Sequence, residues 1–203
     1  MSKAGLILIA LFFLSACEAA PIAVFEKLPQ DAIILAFGDS LTYSSGAPRG
    51  SDYPSSLTAL SQHKVINAGV PGEVSSNGLK RLPAVLDKYQ PGLLILIHGG
   101  NDLLGRMPEQ QLADNLRQMI DIARQRNIKV LMLGVPKPRL FLLDSAEIYQ
   151  QIAEGQQVPI DLETLPNILG DNALKADAIH SNSEGYRLMA ESIHRLLVDT
   201  GAL

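Results

Sequence analysis

The chain has 203 residues, of which 47% are hydrophobic and 19% charged, which is enough for one domain with a sizeable core. Its formal net charge of −4 at pH 7 provides no basic surplus for nucleic acid or acidic lipid, so we expect no nucleic-acid partner. Cys17 is the only cysteine, which excludes a disulfide within the domain.

The first residues have the pattern of an export signal. A short positive start, Met1–Lys3, precedes an apolar stretch, Ala4–Ala16, which is too short to span a bilayer. The stretch ends in Leu14-Ser15-Ala16-Cys17, which resembles the lipobox of bacterial lipoproteins, where the cysteine is acylated and becomes the first residue of the mature protein. The alternative for Cys17 is an incidental thiol or a small buried side chain.

This pattern divides the chain into three parts. We expect a lipoprotein signal peptide at residues 1–16, a lipidated N-terminus and linker at residues 17–30, and the folded domain at residues 31–203. The lipid at Cys17 would make a membrane the partner of the protein. The expected location is the bacterial cell envelope, facing the periplasm or the exterior.

Strands and helices are predicted to alternate along the folded domain. Apolar runs bounded by turn residues predict strands at 32–37, 64–67, 93–97, 128–133 and 157–160, and helical patterns lie at 53–61, 75–89, 108–126, 143–153 and 183–198. Such alternation predicts an α/β fold: a three-layer α/β/α arrangement around a mostly parallel five-stranded sheet in flavodoxin-like order.

Two helices carry additional predictions. In the helix at 108–126 an apolar stripe is expected to face the core: Leu112, Leu116, Met119, Ile120 and Ala123. Pro83 lies within the helix at 75–89 and predicts a kink or restart there.

Ser40 is the candidate nucleophile. It follows the first predicted strand in Phe37-Gly38-Asp39-Ser40-Leu41-Thr42, so its hydroxyl would lie beyond the carboxyl end of that strand, where open α/β sheets bind ligands. The same residues could form only a turn. Thr42 excludes the usual nucleophile elbow, which requires glycine there, and Leu41 leaves Asp39 without the second acidic residue of an aspartyl-phosphate site. Ser40 therefore needs partners elsewhere in the chain.

Asp177 and His180 are the candidate partners. A carboxylate three residues before a histidine on a loop can hold the imidazole tautomer while the other ring nitrogen faces Ser40. Ser181 and Glu184 have capping-box spacing, which predicts a helix starting just after His180. An isolated pair of this kind is more typical of a turn and a surface histidine. His63 and His98 lack a carboxylate three residues upstream, and His194, which follows Glu191 at this spacing, lies within the last predicted helix and is expected to be solvated.

Two glycine-containing loops follow predicted strands. Gly72 lies in the loop after 64–67, and Asn101 follows Gly99 and Gly100 after 93–97. A tetrahedral oxyanion needs N–H donors from the backbone or from an asparagine, and glycine allows the backbone to approach closely. Each residue alone could equally be a turn or capping residue.

Taken in order, these segments resemble the SGNH hydrolase family, also called GDSL esterases and lipases, and its small bacterial thioesterase, lysophospholipase and arylesterase branch. The resemblance covers roughly residues 32–198. It implies Ser40 as nucleophile, His180 as base and Asp177 as the orienting carboxylate. It also implies an oxyanion hole formed by the backbone N–H groups of Ser40 and Gly72 and the side chain of Asn101.

The chain departs from the family pattern at two places. Both are in the Asp-Gly-x-His-Pro block, which has Ala178 and Ser181 in place of glycine and proline, whereas the Gly-Asp-Thr loop of this branch is matched by Gly72-Glu73-Val74. Neither Ala178 nor Ser181 carries chemistry.

The predicted function is a lipid-anchored serine esterase that hydrolyses carboxylic esters of short to medium acyl chains, with an aryl ester, thioester or lysophospholipid as the small substrate and with no cofactor or metal. Apolar loops after the strands favour an acyl slot, with five candidate contact residues: Asp39, Val70, Leu103, Leu104 and Met107. One alternative is an O-acetylesterase of envelope polysaccharide or peptidoglycan. An alternative of another class is a non-catalytic lipoprotein that binds acyl or glycan ligands. The oligomeric state stays open.

Overall fold

The computed structural model describes residues 25–137 and 144–203. The predicted signal peptide and Cys17 lie outside the described residues. A parallel sheet of five strands has the order β2-β1-β3-β4-β5, which is the predicted flavodoxin-like order. Its strands are β1 Ile33–Gly38, β2 Lys64–Gly69, β3 Leu93–Ile97, β4 Lys129–Leu133 and β5 Ile160–Asp161.

Helices cover both faces of the sheet. The elements are α1 Ser40–Tyr43, α2 Tyr53–Ser61, α3 Ser75–Tyr89, α4 Gly100–Leu104, α5 Glu109–Arg124, α6 Glu147–Gln156, α7 Thr164–Gly170, a 3₁₀ turn at Asn172–Leu174, and α8 Ser183–Asp199. The α2 and α8 helices pack together, and α5 packs against both α3 and α6. The predicted three-layer α/β/α architecture is confirmed. Among the described residues, no helix combines the length and apolar character needed to cross a membrane.

The core follows from the apolar runs of the sequence. All five residues of β3 are buried at the centre of the sheet, as expected for a parallel strand covered on both faces. The predicted stripe of α5 is also buried, because it faces this sheet: Leu112, Leu116, Met119, Ile120 and Ala123.

Two predicted helices differ from the structure. The α6 helix begins at Glu147 instead of 143, because Ser145 pairs with Pro136 in an antiparallel bridge and the Ala146 N–H donates to the Val135 carbonyl at 3.1 Å. The α3 helix continues through Pro83 as one element, so the chain does not restart there. Buried Leu82 and Leu86 hold α3 on the sheet beside this proline.

The start of α8 also differs from the predicted capping box. Asn182 is the N-cap, and its side-chain oxygen accepts the N–H groups of Glu184 and Gly185, each at 3.0 Å. Ser181 is fully buried, and its hydroxyl has no hydrogen-bond partner among the described residues. A bridge between Lys175 and Ser181 keeps residue 181 extended, so the helix begins after Asn182.

The described chain enters the fold beside the last turn of α8. The Phe25 N–H donates to the Thr200 carbonyl at 2.7 Å, and the Leu28 N–H donates to the Ala202 carbonyl at 2.9 Å. Because β1 starts after this segment and ends just before Ser40, the entry point lies at the amino ends of the strands and Ser40 at their carboxyl ends.

Candidate active site

Ser40 lies at the switch point of the sheet, beyond the carboxyl ends of the neighbouring strands β1 and β3. It is the first residue of α1, and the preceding Asp39 accepts the Leu41 N–H at 3.1 Å as the cap of that helix. The other oxygen of Asp39 accepts the Gly100 N–H at 3.2 Å and so joins the ends of β1 and β3. A β-carbon on Gly38 would lie 1.8 Å from the Ile97 carbonyl oxygen, so this close approach requires glycine.

The structure brings Ser40, His180 and Asp177 together in series. His180 Nε2 is 3.0 Å from Ser40 Oγ, and His180 Nδ1 is 2.8 Å from Asp177 Oδ2. Because Nδ1 faces a carboxylate, that nitrogen carries the proton, and Nε2 accepts the serine hydroxyl. This arrangement can remove a proton from Ser40 and return it to a leaving group.

The Asp177 carboxylate is held on a loop before α8. Its Oδ1 accepts the backbone N–H groups of Ile179 and His180, both at 2.8 Å. Hydrogen bonding from His180 is the main cause that lowers the pKa of Asp177, and the two backbone N–H groups act in the same direction. Asp177 is therefore ionised at neutral pH and can stabilise an imidazolium. Ala178 has no left-handed φ, so the glycine of the family pattern is not required there.

Three N–H groups are the candidate oxyanion donors: the backbone N–H groups of Ser40 and Gly72 and the side-chain amide of Asn101. Among the described residues, the backbone N–H groups of Ser40 and Gly72 donate to no protein acceptor. The Asn101 amide donates to the Glu73 carbonyl at 3.0 Å and keeps its second hydrogen for another acceptor. Gly72 has φ +77°, a conformation that favours glycine. Such donors suit a developing oxyanion.

A cleft of ≈ 660 Å³ opens beside Ser40 and Asn101. One part of its wall comes from α1, α4 and the loop after β4, and another part from α7 and the loop that carries His180. Most of its side chains are apolar: Leu41, Leu104, Val135, Pro136, Pro166, Leu169, Ala178 and Ile179. Asn167, Asp171 and Lys175 add polar groups at this wall.

The predicted substrate contacts are only partly in this cleft. Asp39 and Leu104 line it, although the Asp39 carboxyl is held by backbone N–H groups, and burial raises its pKa. The prediction that Leu103 contacts the substrate is wrong, because this side chain is 6% exposed and belongs to the core. Val70 and Met107 lie outside the lining of the cleft.

The α7 wall was not anticipated from the sequence. The sequence pattern predicts no element over residues 161–176, yet this segment supplies Pro166, Leu169 and Lys175 to the cleft. The helical spacing of Leu165, Ile168 and Leu169 before Gly170 was the available signal.

A polar cluster, in which Glu73 and His98 are buried and Arg81 is half-buried, supports the loop that carries Gly72. The Glu73 carboxylate accepts hydrogen bonds from Arg81 Nε at 2.9 Å and from Arg81 Nη2 at 2.6 Å. Its Oε2 also lies 3.2 Å from His98 Nε2. Burial favours a higher pKa for Glu73, but the hydrogen bonds from His98 and Arg81 together lower it to about 2. His98 thus has a carboxylate partner that is distant in sequence. Within residues 25–137 and 144–203, no group of three or more His, Cys, Asp and Glu side chains could hold a metal ion.

Together, the fold and the site define a hydrolase that acts on ester bonds. Residues 36–188 match the family described as GDSL-like Lipase/Acylhydrolase, and the chain belongs to this family.

Relatives and a solved structure are similar over most of their lengths. The chain is 32% identical to an arylesterase of Vibrio mimicus, over 95% of this chain and 97% of that protein. It is 32% identical to Esterase TesA of Pseudomonas aeruginosa, over 82% of this chain and 87% of that protein. A crystal structure of TesA superimposes with a TM-score of 0.75 at 28% identity, covering 83% of this chain and 99% of that one.

Proposed function

We propose that this protein is a serine esterase that hydrolyses carboxylic esters of short to medium acyl chains through an acyl-enzyme. The observation that carries the proposal is the series of short contacts from Ser40 Oγ to His180 Nε2, at 3.0 Å, and from His180 Nδ1 to Asp177, at 2.8 Å. The similarity to an arylesterase and to Esterase TesA supports this reaction class.

In the first half of the reaction, Ser40 Oγ attacks the acyl carbonyl carbon while its proton moves to His180 Nε2. The carbonyl oxygen becomes an oxyanion and accepts hydrogen bonds from Ser40 N–H, Gly72 N–H and Asn101 Nδ2. When the carbonyl re-forms, the bond to the leaving alcohol or thiol breaks, and the leaving group takes the proton from His180. Asp177 stabilises the imidazolium throughout.

Water completes the cycle. It attacks the acyl-enzyme carbonyl and gives one proton to His180, and the second oxyanion forms against the same donors. Collapse breaks the bond between Ser40 and the acyl group, the acid leaves, and the proton returns from His180 to Ser40. The apolar walls of the cleft suit the hydrocarbon part of the acyl group.

The test compares wild type with Ser40→Ala on a chain-length series of p-nitrophenyl esters, thioesters and acetylated sugars, together with fluorophosphonate labelling. We expect Ser40→Ala to lose labelling and to lower kcat by about 10⁴- to 10⁶-fold. Ser45→Ala is the matched control, because the Ser45 hydroxyl makes no hydrogen bond among the described residues. Equal labelling of wild type and Ser40→Ala would refute the proposal.

The same series separates the proposed activity from its alternatives. A strict preference for acetyl groups on sugars would instead support an O-acetylesterase. Binding of esters without turnover or labelling by the wild type would support a non-catalytic binding protein.

We also propose that the enzyme is attached to the bacterial cell envelope by acylation of Cys17. The proposal rests on the apolar segment and the Leu-Ser-Ala-Cys sequence at its end. Two or three acyl chains would hold the protein at a membrane almost permanently, because each buried methylene contributes about 0.8 kcal/mol. Cys17→Ser should leave an unprocessed precursor or release the protein to the soluble fraction, whereas a processed membrane-bound variant would refute lipidation.

A further inference from the structure

We propose that Glu73, Arg81 and His98 form a largely buried strut that positions the oxyanion donors Gly72 and Asn101. The inference rests on the proposed esterase mechanism and assigns a role to three residues that neither touch the substrate nor belong to the Ser-His-Asp series. They are positioning residues, which act through the loop at 72–74 and through the start of α4.

Glu73 connects the two donors directly. Its backbone follows Gly72, and its carbonyl oxygen accepts the Asn101 amide at 3.0 Å. A shift of Glu73 would therefore move the Gly72 N–H and change the orientation of the Asn101 amide together. The backbone of this loop is exposed at Gly72, whereas the Glu73 side chain is only 7% exposed, so the side chain anchors the loop to the interior.

Arg81 fixes the Glu73 carboxylate to the sheet. Its guanidinium makes a two-point contact with Glu73 at 2.9 and 2.6 Å, donates to the Ala68 carbonyl at 3.1 Å, and lies 4.1 Å from the centre of the Phe37 ring. Two-point contacts of this kind restrict direction as well as distance. Ala68 is in β2 and Phe37 is its partner in β1. Arg81 therefore anchors the carboxylate to the carboxyl ends of these two strands, just before Ser40.

His98 connects the same carboxylate to the start of α4. Its Nδ1 accepts the Gly99 N–H at 2.9 Å, so Nε2 carries the proton and donates to Glu73 Oε2 at 3.2 Å. Gly99 is the N-cap of α4 with φ +108°, and Asn101 is the second residue of that helix. The imidazole thus spans the two segments that hold the donors.

The packing around His98 leaves the ring little freedom. The ring is buried, Tyr149 donates its hydroxyl to the His98 carbonyl at 2.8 Å, and a β-carbon on Gly78 would lie 2.3 Å from Nε2. Glycine at position 78 of α3 therefore makes room for the imidazole. Because a misplacement of about 1 Å can lower a rate by about 10²-fold, such a strut affects catalysis without contacting substrate.

The test measures Glu73→Ala for kcat, KM and affinity for an alkylboronic acid, which mimics the tetrahedral intermediate when bound to Ser40. We expect kcat and boronate affinity to fall together by about 10- to 100-fold, with KM nearly unchanged, because only oxyanion stabilisation is lost. Glu73→Gln keeps one oxygen that can accept Arg81 Nη2 and His98 Nε2 but turns its NH2 group toward Arg81 Nε, so it should lose less kcat than Glu73→Ala. Asp87→Asn is the matched control: it removes a carboxylate–arginine contact, 2.9 Å from Arg126, at the other end of α3.

A double-mutant cycle decides whether Glu73 acts through Asn101. In an Asn101→Ala background, Glu73→Ala should lower kcat by a much smaller factor than in the wild type, because one of the donors that Glu73 positions is already absent. The proposal would be overturned if the kcat losses of the two single variants simply multiply in the double variant. It would also be overturned if Glu73→Ala lowers the thermal midpoint but leaves kcat and boronate affinity unchanged. If Glu73→Ala does not fold, Arg81→Lys and His98→Leu undergo the same cycle with the same two outcomes. If fluorophosphonate does not label the wild type, the proposed esterase activity itself is contradicted.

Discussion

Asp102 caps a helix to which it does not belong. Its Oδ2 accepts the Ser75 N–H at 2.8 Å and its Oδ1 accepts the Ser75 hydroxyl at 2.6 Å, at the start of α3. The α3 N-cap is Val74, which has no side chain capable of capping, so α4 supplies the missing acceptor. Asn115 completes the contact by donating to Ser75 Oγ at 2.8 Å. Three helices therefore meet at one buried carboxyl group.

Asp102→Ala should lower the free energy of unfolding by about 2–4 kcal/mol, because the buried Ser75 N–H and hydroxyl would lose their acceptor. Urea unfolding at neutral pH measures this change. Asp114→Ala is the control, since Asp114 makes an exposed pair with Arg117 at 3.1 Å and should cost no more than about 0.5 kcal/mol. Equal losses for the two variants would contradict the cross-helix cap.

Asn182→Ala should destabilise the protein by about 1 kcal/mol, because two N–H groups at the start of α8 would lose their acceptor. Ser181→Ala should leave stability unchanged or slightly higher, since the Ser181 hydroxyl is buried without a partner in the described parts of the chain. Thermal unfolding of both variants measures the difference. A larger loss for Ser181→Ala would show that the capping box predicted from the sequence is the correct one.

The long buried elements could be predicted from the sequence, and the short ones could not. The run Leu93–Ile97 is apolar throughout, and the α5 stripe repeats at helical spacing over about three turns, so both patterns are unambiguous. Helices such as α1, α4 and α7 have four to seven residues, which is too short for such a repeat to appear. The antiparallel bridges Pro136–Ser145 and Lys175–Ser181 form within irregular loops that show no periodic pattern, and they shift two helix boundaries.

The site shows the same division. Asp177 and His180 are three residues apart, so their contact could be inferred locally. Glu73 and His98 are 25 residues apart in sequence. They meet because β2 and β3 both flank β1, so that the loop after β2 and the residue after β3 lie at the same end of the sheet. The α7 wall of the cleft depends in the same way on the packing of α7 against α8.

The stability of the wild type should depend on Glu73 at acid pH. The pKa of Glu73 in the folded protein, about 2, is below its ordinary value of 4.5. Its ionised form therefore contributes stability above pH 4.5, and this contribution is lost as the pH falls from 4.5 toward 2. Glu73→Gln should show a shallower decrease of the urea midpoint between pH 5 and pH 3. Parallel curves for the two proteins would contradict the lowered pKa.

Leu104→Ser should reduce kcat/KM for hexanoyl and octanoyl esters by about 3- to 10-fold while changing acetyl ester hydrolysis much less, because an apolar side chain of the cleft is lost. Leu60→Ser is the matched control: Leu60 is 41% exposed and Leu104 is 45% exposed, but Leu60 is on α2, outside the cleft lining. A p-nitrophenyl ester series measures both. An equal effect on all chain lengths would exclude acyl contact at Leu104.

The hydrogen bond from Phe25 to Thr200 bears on how an anchored enzyme would be oriented. Thr200 follows α8, whose 17 residues extend about 25 Å from the His180 loop. Residues 17–24 extend at most about 28 Å, so a lipid at Cys17 would hold the domain by the pole opposite its cleft. This attachment point would favour an orientation in which the mouth of the cleft faces away from the bilayer, toward esters in the surrounding compartment or on an opposing surface.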